Sequence, residues 1–260
     1  MKVSVLSSSS QGNCIYLEHN NKKYLFDCGI SYRKLIEKMT TIGSFLDKLD
    51  GIFITHEHFD HTSGLSSVIK KFNTNIYMTK GTYKGLSEKD KEKISPIYIN
   101  FVKKDEAFKV DDITIYPFGL SHDAIDPVGY MLTFDDKKLV YLTDTGSFET
   151  VELLKNADFY ILESNHEPDM LMLSNRPWSL INRILSAKGH LSNYQSVELF
   201  SKLIGNNTKY LVLYHLSNEC NTKELALLAF NNYFKARKIN TENLDIYVSD
   251  REMPTKLLEV

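Results

Sequence analysis

Residues 56–61 carry three histidines and an aspartate in the pattern His-x-His-x-Asp-His. They directly follow an apolar run at residues 51–54 that is a buried strand by its length and composition. Side chains two apart on an extended chain point the same way, so His56 and His58 can face one cation just beyond the strand. As the chain turns, Asp60 and His61 can face a second. Imidazole and carboxylate groups bind Zn, Mn or Fe, and the motif contains no thiolate that would select among these metals.

The chain of 260 residues contains no Pro/Gly/Ser-rich linker and no charge block, which predicts a single domain over residues 1–260. Its net charge of -2 neither requires nor excludes a polyanionic partner. The apolar start becomes polar at Ser7, too early for a signal peptide, and no stretch approaches the length of a membrane span. Three widely spaced cysteines suit reduced thiols. We therefore expect a cytoplasmic protein without a membrane partner, and its oligomeric state stays open.

Apolar runs between turn-forming residues outline an α+β protein. Three short runs in the opening third predict a meander of strands, followed by a helix over residues 31–40. Short runs between residues 113 and 163 predict a second sheet. The last third alternates helix and strand, with helices expected over residues 177–187, 193–204 and 222–235.

Four further residues with metal-binding side chains stand at predicted strand ends or in turns: His122, Asp144, His190 and His215. Taken singly, such a residue is usually a turn residue. A two-metal site, however, needs more ligands than residues 56–61 supply, and either His190 or His215 could be the last of them. Asp27, at the end of an early predicted strand, could orient a ligand histidine or be a plain turn carboxylate.

The order of the His-x-His-x-Asp-His motif, a later histidine, an aspartate and a final strand-end histidine resembles the metallo-β-lactamase superfamily over nearly the whole chain. The resemblance implies a fold of the α+β class, an αββα four-layer sandwich with a dinuclear metal site at one edge. It also implies two divalent metal ions. His56, His58 and His122 would bind one ion, Asp60, His61 and His215 the other, and Asp144 would bridge them. His215 is chosen over His190 because in the phosphodiesterase branches the final ligand follows the last core strand.

Within that superfamily the chain looks most like the YycJ/WalJ group. A cysteine ligand, as in true β-lactamases, and the long arm of tRNA 3′-processing enzymes are both missing, and the chain between Asp144 and His215 is too short for the extra domain of β-CASP nucleases. The group is linked to 5′-to-3′ exonuclease action on DNA and to cell-wall signalling, so DNA is favoured over RNA as the substrate. The supporting stretches are residues 8–13, 55–61, 162–166, 189–193 and 214–221.

The resemblance implies hydrolysis of phosphodiester bonds. Two cations would lower the pKa of a water, so that a hydroxide attacks phosphorus in line, and Asp60 would orient this nucleophile. The leaving alkoxide needs a proton or a positive charge, which we assign to His190, with His166 assisting.

Substrate-binding residues are expected near His190. Ser192 is expected to hold a phosphate oxygen. Arg176 and Arg183, seven residues or two helical turns apart and hence on one face, could grip flanking phosphates or be ordinary surface pairs. Trp178, the only tryptophan, is expected to pack in the core or between helices rather than to stack on a base.

Two other functions stay open. A small-molecule hydrolase of cyclic phosphodiesters or other esters would use the same metals but would be insensitive to salt, whereas a nucleic-acid enzyme weakens as salt rises. The protein could also be a regulatory or cell-wall-signalling accessory that acts through a protein partner. The lysine-rich stretch at residues 66–104 could hold a phosphate backbone, although a solvated face is favoured.

Overall fold

The computed structural model describes residues 1–149 and 152–260 of the chain. Its strands, in chain order, are β1 (Lys2–Ser7), β2 (Cys14–His19), β3 (Lys22–Phe26), β4 (Gly51–Phe53), β5 (Ile76–Thr79), β6 (Ile99–Val102), β7 (Phe108–Val110), β8 (Ile113–Gly119), β9 (Val128–Phe134), β10 (Lys137–Leu142), β11 (Phe159–Glu163), β12 (Tyr210–Tyr214), β13 (Asp245–Val248) and β14 (Leu258–Glu259). Its α-helices are α1 (Tyr32–Thr41), α2 (Phe59–Thr62), α3 (Leu65–Phe72), α4 (Lys80–Gly85), α5 (Glu88–Lys91), α6 (Pro168–Met172), α7 (Trp178–Leu185), α8 (Asn193–Leu203) and α9 (Lys223–Arg237).

The described residues divide into two compact units. The first unit comprises Met1–Glu106, Ala124–Val128 and Ser249–Val260, and the second comprises Ala107–Asp123 and Gly129–Val248. The chain therefore enters and leaves the second unit twice. The single domain expected over residues 1–260 stays a prediction.

The first unit is built on a mixed sheet with the strand order β14-β1-β2-β3-β4-β5-β6. Strands β1 to β3 form the predicted antiparallel meander, and Asn20 and Asn21 join β2 to β3 with φ angles of 47° and 61°, as a tight hairpin turn of this hand requires. From β3 to β6 the pairs are parallel. Parallel neighbours need crossover connections, and helices α1 to α5 lie within these connections.

Helix α1 illustrates how the sequence produces a core-facing helix in the first unit. The side chain of Ser31 caps it by accepting a hydrogen bond from the backbone N–H of Lys34 at 3.4 Å. Leu35 and Met39 are four residues apart, so they lie on the same helix face, and both are buried in the core cluster that also contains Ile52. The observed bounds are within one residue of the prediction.

The second unit is built on a mixed sheet with the strand order β13-β12-β11-β10-β9-β8-β7. Strands β9 and β10 are antiparallel, whereas β10, β11, β12 and β13 pair in parallel. Helices α8 and α9 lie in two of the parallel connections and bury three phenylalanines, Phe200, Phe230 and Phe234, against this sheet's core. Both units combine a mixed sheet with helices, so the predicted α+β class is confirmed.

The parallel pairing decides where the polar residues gather. The carboxyl ends of parallel neighbours lie at one edge of a sheet. In the first unit β3 and β4 end there, just before Asp27 and Thr55; in the second unit Asp144, Glu163 and His215 stand at or just after the ends of β10, β11 and β12. Each sheet thus places several buried polar residues at one edge.

Two expectations about the segment before α8 are wrong. The helix expected over residues 177–187 is present as Trp178–Leu185 with Pro177 as its N-cap, and Arg176 precedes it. Arg176 and Arg183 therefore do not share a helix face. Trp178 is 59% exposed and does not pack in the core. In the part of the chain that the structure describes, no helix combines the length and the apolar character needed to cross a membrane.

Candidate metal centre

The first unit gathers the histidines of the motif directly after β4. His56 and His61 are fully buried, and His58 is half-buried. The ring centroid of His56 lies 4.6 Å from that of His58 and 4.1 Å from that of His61. The short helix α2 turns the chain between His58 and His61, and this turn brings His61 back beside His56. The predicted clustering of these imidazoles is therefore present in the fold.

Asp27 orients two of these histidines. The Nδ1–H of His61 donates to its Oδ2 at 2.7 Å, and the hydroxyl of Thr55 donates to the same carboxylate at 3.0 Å. Because the Thr55 hydrogen is used in this way, its oxygen accepts from Nδ1 of His56 at 3.0 Å. In both rings the Nε2 atom is then the one that carries a lone pair. The first alternative given for Asp27, the orienting role, is the one that the structure supports.

Asn13 joins the same cluster from the loop after β1, a residue to which the sequence argument assigned no role. Its Oδ1 accepts from the backbone N–H of Ser9, so its Nδ2 faces the cluster and donates to Oδ2 of Asp60 at 2.9 Å and to Nε2 of His61 at 3.0 Å. The amide group of Asn13 thus contacts a lone pair of Asp60 and a lone pair of His61. Because these two lone pairs converge on one point, the two side chains are also suited to bind a cation.

The loops around the cluster are tied together through their backbones. Asn13 N–H donates to the carbonyl of Asp60 at 2.7 Å, and the N–H of Gly29 donates to the carbonyl of Asn13 at 2.8 Å. A Cβ atom on Gly29 would lie 1.6 Å from the carbonyl oxygen of Asp60. Only glycine permits this approach, so the backbone around Gly29 sets the position of Asp60.

Glu57, the residue between the first two motif histidines, anchors another segment of the first unit. Its Oε1 accepts from the backbone N–H of Ile125 at 2.7 Å, and the carbonyl of Thr55 accepts from the N–H of Val128 at 3.0 Å. These two bonds hold residues 124–128 against the motif. Glu57, the middle residue of the His-x-His pattern, therefore has a structural role, since it holds a neighbouring loop.

The second unit gathers four potential ligands. Donor atoms of Asp144, Glu163, His190 and His215 lie within 4.8 Å of one another. Oδ1 of Asp144 is 3.4 Å from Nδ1 of His215 and 3.5 Å from Nδ1 of His190. Asp144 and His215 both have positive φ angles, 48° and 58°, because the chain turns sharply as it leaves β10 and β12.

His122 belongs to the same group. Its Nε2 is 3.9 Å from Oδ1 of Asp144, and its Nδ1 donates to the carbonyl of Gly189 at 3.1 Å. Burial lowers the pKa of His122, although the charge of Asp144 opposes this effect. A neutral ring with its Nδ1–H held by a carbonyl presents Nε2 as a lone-pair donor, the form in which histidine binds metals.

Glu163 is the main residue that the sequence argument missed. Its carboxylate is fully buried and accepts hydrogen bonds from Nδ1 of His190 at 2.6 Å and from the backbone N–H groups of Thr145 and Leu191 at 3.0 and 3.2 Å. Burial raises the pKa of Glu163, but the charge and hydrogen bonds of His190 and His215 outweigh it and hold the pKa below its ordinary value. The sequence signal for Glu163 was its position as the last residue of an apolar run. Its contact with His190, 27 residues away, is visible only in the folded chain.

His166, predicted to assist catalysis, is buried, and within the described ranges neither of its ring nitrogens has a hydrogen-bond partner. Burial lowers its pKa to about 4, so the ring is neutral near neutral pH. The neighbouring Asn165 donates through Nδ2 to the carbonyl of His215 at 2.8 Å. The catalytic role of His166 stays a prediction.

The residues predicted to bind substrate already have partners in the fold. Ser192 is the N-cap of α8 and forms a capping box with Gln195. Arg176 pairs with Glu219 at 3.0 Å, and Arg183 pairs with Asp123 at 2.5 Å. The roles of Ser192, Arg176 and Arg183 in substrate binding stay predictions.

Comparisons with known proteins agree with this architecture. A family model described as a β-lactamase superfamily domain matches residues 22–216. The exodeoxyribonuclease WalJ of Streptococcus pneumoniae (strain D39 / NCTC 7466) is 36% identical to the chain, covering 100% of it and 98% of WalJ. The exodeoxyribonuclease YycJ of Bacillus anthracis is 32% identical, covering 98% of the chain and 97% of YycJ.

Solved structures give the same result for the fold. The metallo-β-lactamase fold protein YhfI from Bacillus subtilis superposes with a TM-score of 0.71 at 15% identity, covering 98% of each chain. A diphosphatase from the PhnP family superposes with a TM-score of 0.67 at 18% identity, covering 100% of this chain and 99% of that one. The expected metallo-β-lactamase fold is confirmed. With its full-length similarity to WalJ and YycJ, the chain belongs to the metallo-β-lactamase superfamily, in the group formed by those relatives.

Proposed function

We propose that the protein is a metal-dependent phosphodiesterase that degrades DNA from the 5′ end. The observation that carries the proposal is the group formed by the buried Asp144, Glu163 and His215 and the half-buried His190 at the carboxyl edge of the second sheet. It combines metal-binding side chains with an imidazole held by a carboxylate, a pair that suits general acid catalysis. The names of the two full-length relatives, both exodeoxyribonucleases, support DNA rather than RNA as the substrate.

We propose that seven side chains hold two divalent ions of Zn, Mn or Fe. The ligand types fit these metals, and the hydrogen bonds of Asp27, Thr55 and the Gly189 carbonyl leave Nε2 of three of the histidines as lone-pair donors. When bound, two such ions would lower the pKa of a water molecule and stabilise negative charge on a phosphate. The assigned residues are His56, His58 and His122 for one ion, Asp60, His61 and His215 for the other, and Asp144 as the bridge.

His190 is proposed to protonate the leaving alkoxide. Glu163 accepts its Nδ1–H, which fixes the orientation of the ring. The proton for the leaving oxygen would then come from Nε2. Asp60, whose Oδ2 already accepts a hydrogen bond from Asn13, is proposed to orient the attacking water.

A cytoplasmic location is also proposed. The chain's three cysteines, Cys14, Cys28 and Cys220, are all buried free thiols. Burial raises the pKa of Cys14 and of Cys28, so both thiols stay protonated. Unpaired thiols of this kind suit a reducing compartment.

The test uses Mn-loaded protein and duplex DNA that is phosphorylated at the 5′ end and labelled at the 3′ end, with Asp144→Asn as the control. Stepwise shortening from the 5′ end by the wild type but not by the variant is the expected result, and the rate should fall as salt rises. Absence of cleavage by a protein that carries two equivalents of metal would refute the proposal and favour a small-molecule phosphodiesterase.

A further inference from the structure

The segment that leads into His190 has an unusual exposed surface. Residues 170–190 contain Arg176, Arg183 and Lys188 but no aspartate or glutamate, and the two arginines are paired with Glu219 and Asp123 from other parts of the chain. The same segment exposes Leu173 by 86% and Trp178 by 59%. Exposed large apolar side chains that lie close together mark binding surfaces, and an exposed aromatic ring can stack on a nucleic-acid base.

Helix α7 arranges part of this surface in one line. Trp178 and Leu185 are seven residues apart, so they lie two turns apart on the same face, and Asn182 lies between them. The buried side of the helix carries Ile181 and Ile184, which lie in a small cluster with Leu171. These two side chains hold the helix in place, and Trp178 and Leu185 remain largely exposed beside them.

The same helix is joined to the site of the proposed chemistry. The backbone N–H of His190 donates to the carbonyl of Ile184 in the last turn of α7 at 3.0 Å. Arg183 pairs with Asp123, whose other carboxylate oxygen lies 3.2 Å from Nε2 of His122. A strand that crosses the exposed face of α7 would thus run toward His190 and His122.

We propose that the Trp178 face of α7 is a stacking platform for unpaired bases of the DNA strand that the enzyme degrades. This proposal rests on the proposed function. The indole can stack on a base without regard to sequence, and the exposed Lys188 can balance a phosphate of the strand. A flat, sequence-independent contact suits an enzyme that must accept each nucleotide of the strand in turn.

Trp178 is the chain's only tryptophan and reports on its own contacts. Fluorescence of the metal-loaded protein, excited where tyrosine does not absorb, is followed while single-stranded oligothymidylate is added. We expect quenching by this strand and little or no quenching by an abasic strand of the same length and charge. Equal quenching by both strands, or none by either, would overturn the stacking proposal.

Enzyme kinetics provide the second readout. Trp178→Ala should raise the KM for DNA with a single-stranded 5′ tail by about tenfold, and Trp178→Phe should restore most of the loss. Hydrolysis of bis(p-nitrophenyl) phosphate should be unchanged, because this small diester does not reach the platform. Leu228→Ala, which removes an apolar side chain of similar exposure on α9, is the matched control and should behave as wild type.

The two proposals fail separately. A protein that shortens DNA from the 5′ end but shows no base-dependent quenching and no change of KM in Trp178→Ala would refute the platform alone. Base-dependent quenching without any DNA cleavage would refute the proposed exonuclease while leaving strand binding in place. Equal loss of both activities in Trp178→Ala would mean that the substitution disturbs the active site, and it would count against the platform.

Discussion

The buried imidazole of His166 makes the stability of the protein depend on pH. Its pKa is about 4 in the folded chain, and an exposed histidine of an unfolded chain has a pKa of 6.5. Between these two pH values the unfolded chain binds a proton that the folded chain does not. Stability is therefore fully present above pH 6.5 and is lost as the pH falls toward 4.

The size of this effect follows from the two pKa values. One pKa unit corresponds to about 1.4 kcal/mol, so lowering the pH from 7 to 5 costs about 2 kcal/mol of unfolding free energy through His166 alone. Replacing His166 with leucine removes the titrating group. It also removes two buried nitrogens that have no partner among the described residues, which should raise the stability at neutral pH by about 1–3 kcal/mol.

The assay is urea unfolding of wild type and His166→Leu at pH 7 and pH 5, in the presence of a chelator so that metal release does not contribute. The variant should lose about 2 kcal/mol less than wild type between the two pH values. Thr74→Val is the control, because within the described ranges the buried Thr74 hydroxyl also has no hydrogen-bond partner but does not titrate. Equal losses in wild type and His166→Leu would refute the reasoning.

Three further predictions concern the two clusters. Asp27→Asn removes the carboxylate that orients His61 and should weaken metal affinity about 10- to 100-fold, measured by competition with a chromophoric chelator; an unchanged affinity would contradict the orienting role. Glu163→Gln should lower kcat about 100-fold or more with the metal content retained, measured by steady-state kinetics and elemental analysis; loss of metal instead would make the carboxylate a ligand. Gly29→Ala should destabilise the chain by more than about 3 kcal/mol in urea unfolding, because its Cβ would overlap the carbonyl of Asp60, and a change below 1 kcal/mol would contradict this packing argument.

Much of the local structure follows from periodicity and turn chemistry. The early meander with its Asn20-Asn21 turn, the helix after Ser31 and the strand before His56 are local features, since each depends on residues close in the chain. The metal motif is local in the same sense. Six consecutive residues contain three imidazoles, and only a turn is needed to bring them together.

Helix boundaries and exposure depended on contacts that the sequence pattern does not reveal. The helix expected over residues 177–187 runs from Trp178 to Leu185, and Arg176 lies before its N-cap Pro177. The seven-residue spacing therefore does not place Arg176 and Arg183 on one helix face. Trp178 was expected to pack in the core or between helices rather than to stack on a base. Ile181 and Ile184 occupy the buried face of the short helix instead, and the indole is left on the surface.

The sequence by itself determined the superfamily, the ligand types and the order in which they occur, because residue identity and spacing are one-dimensional properties. Only the tertiary structure decided that Asp27 orients His61, that Asn13 reaches Asp60 and that Glu163 holds His190. These pairs are separated by 27 to 47 residues along the chain. Their contacts exist because parallel strand pairing brings distant strand ends to one edge of a sheet, an arrangement that no local pattern encodes.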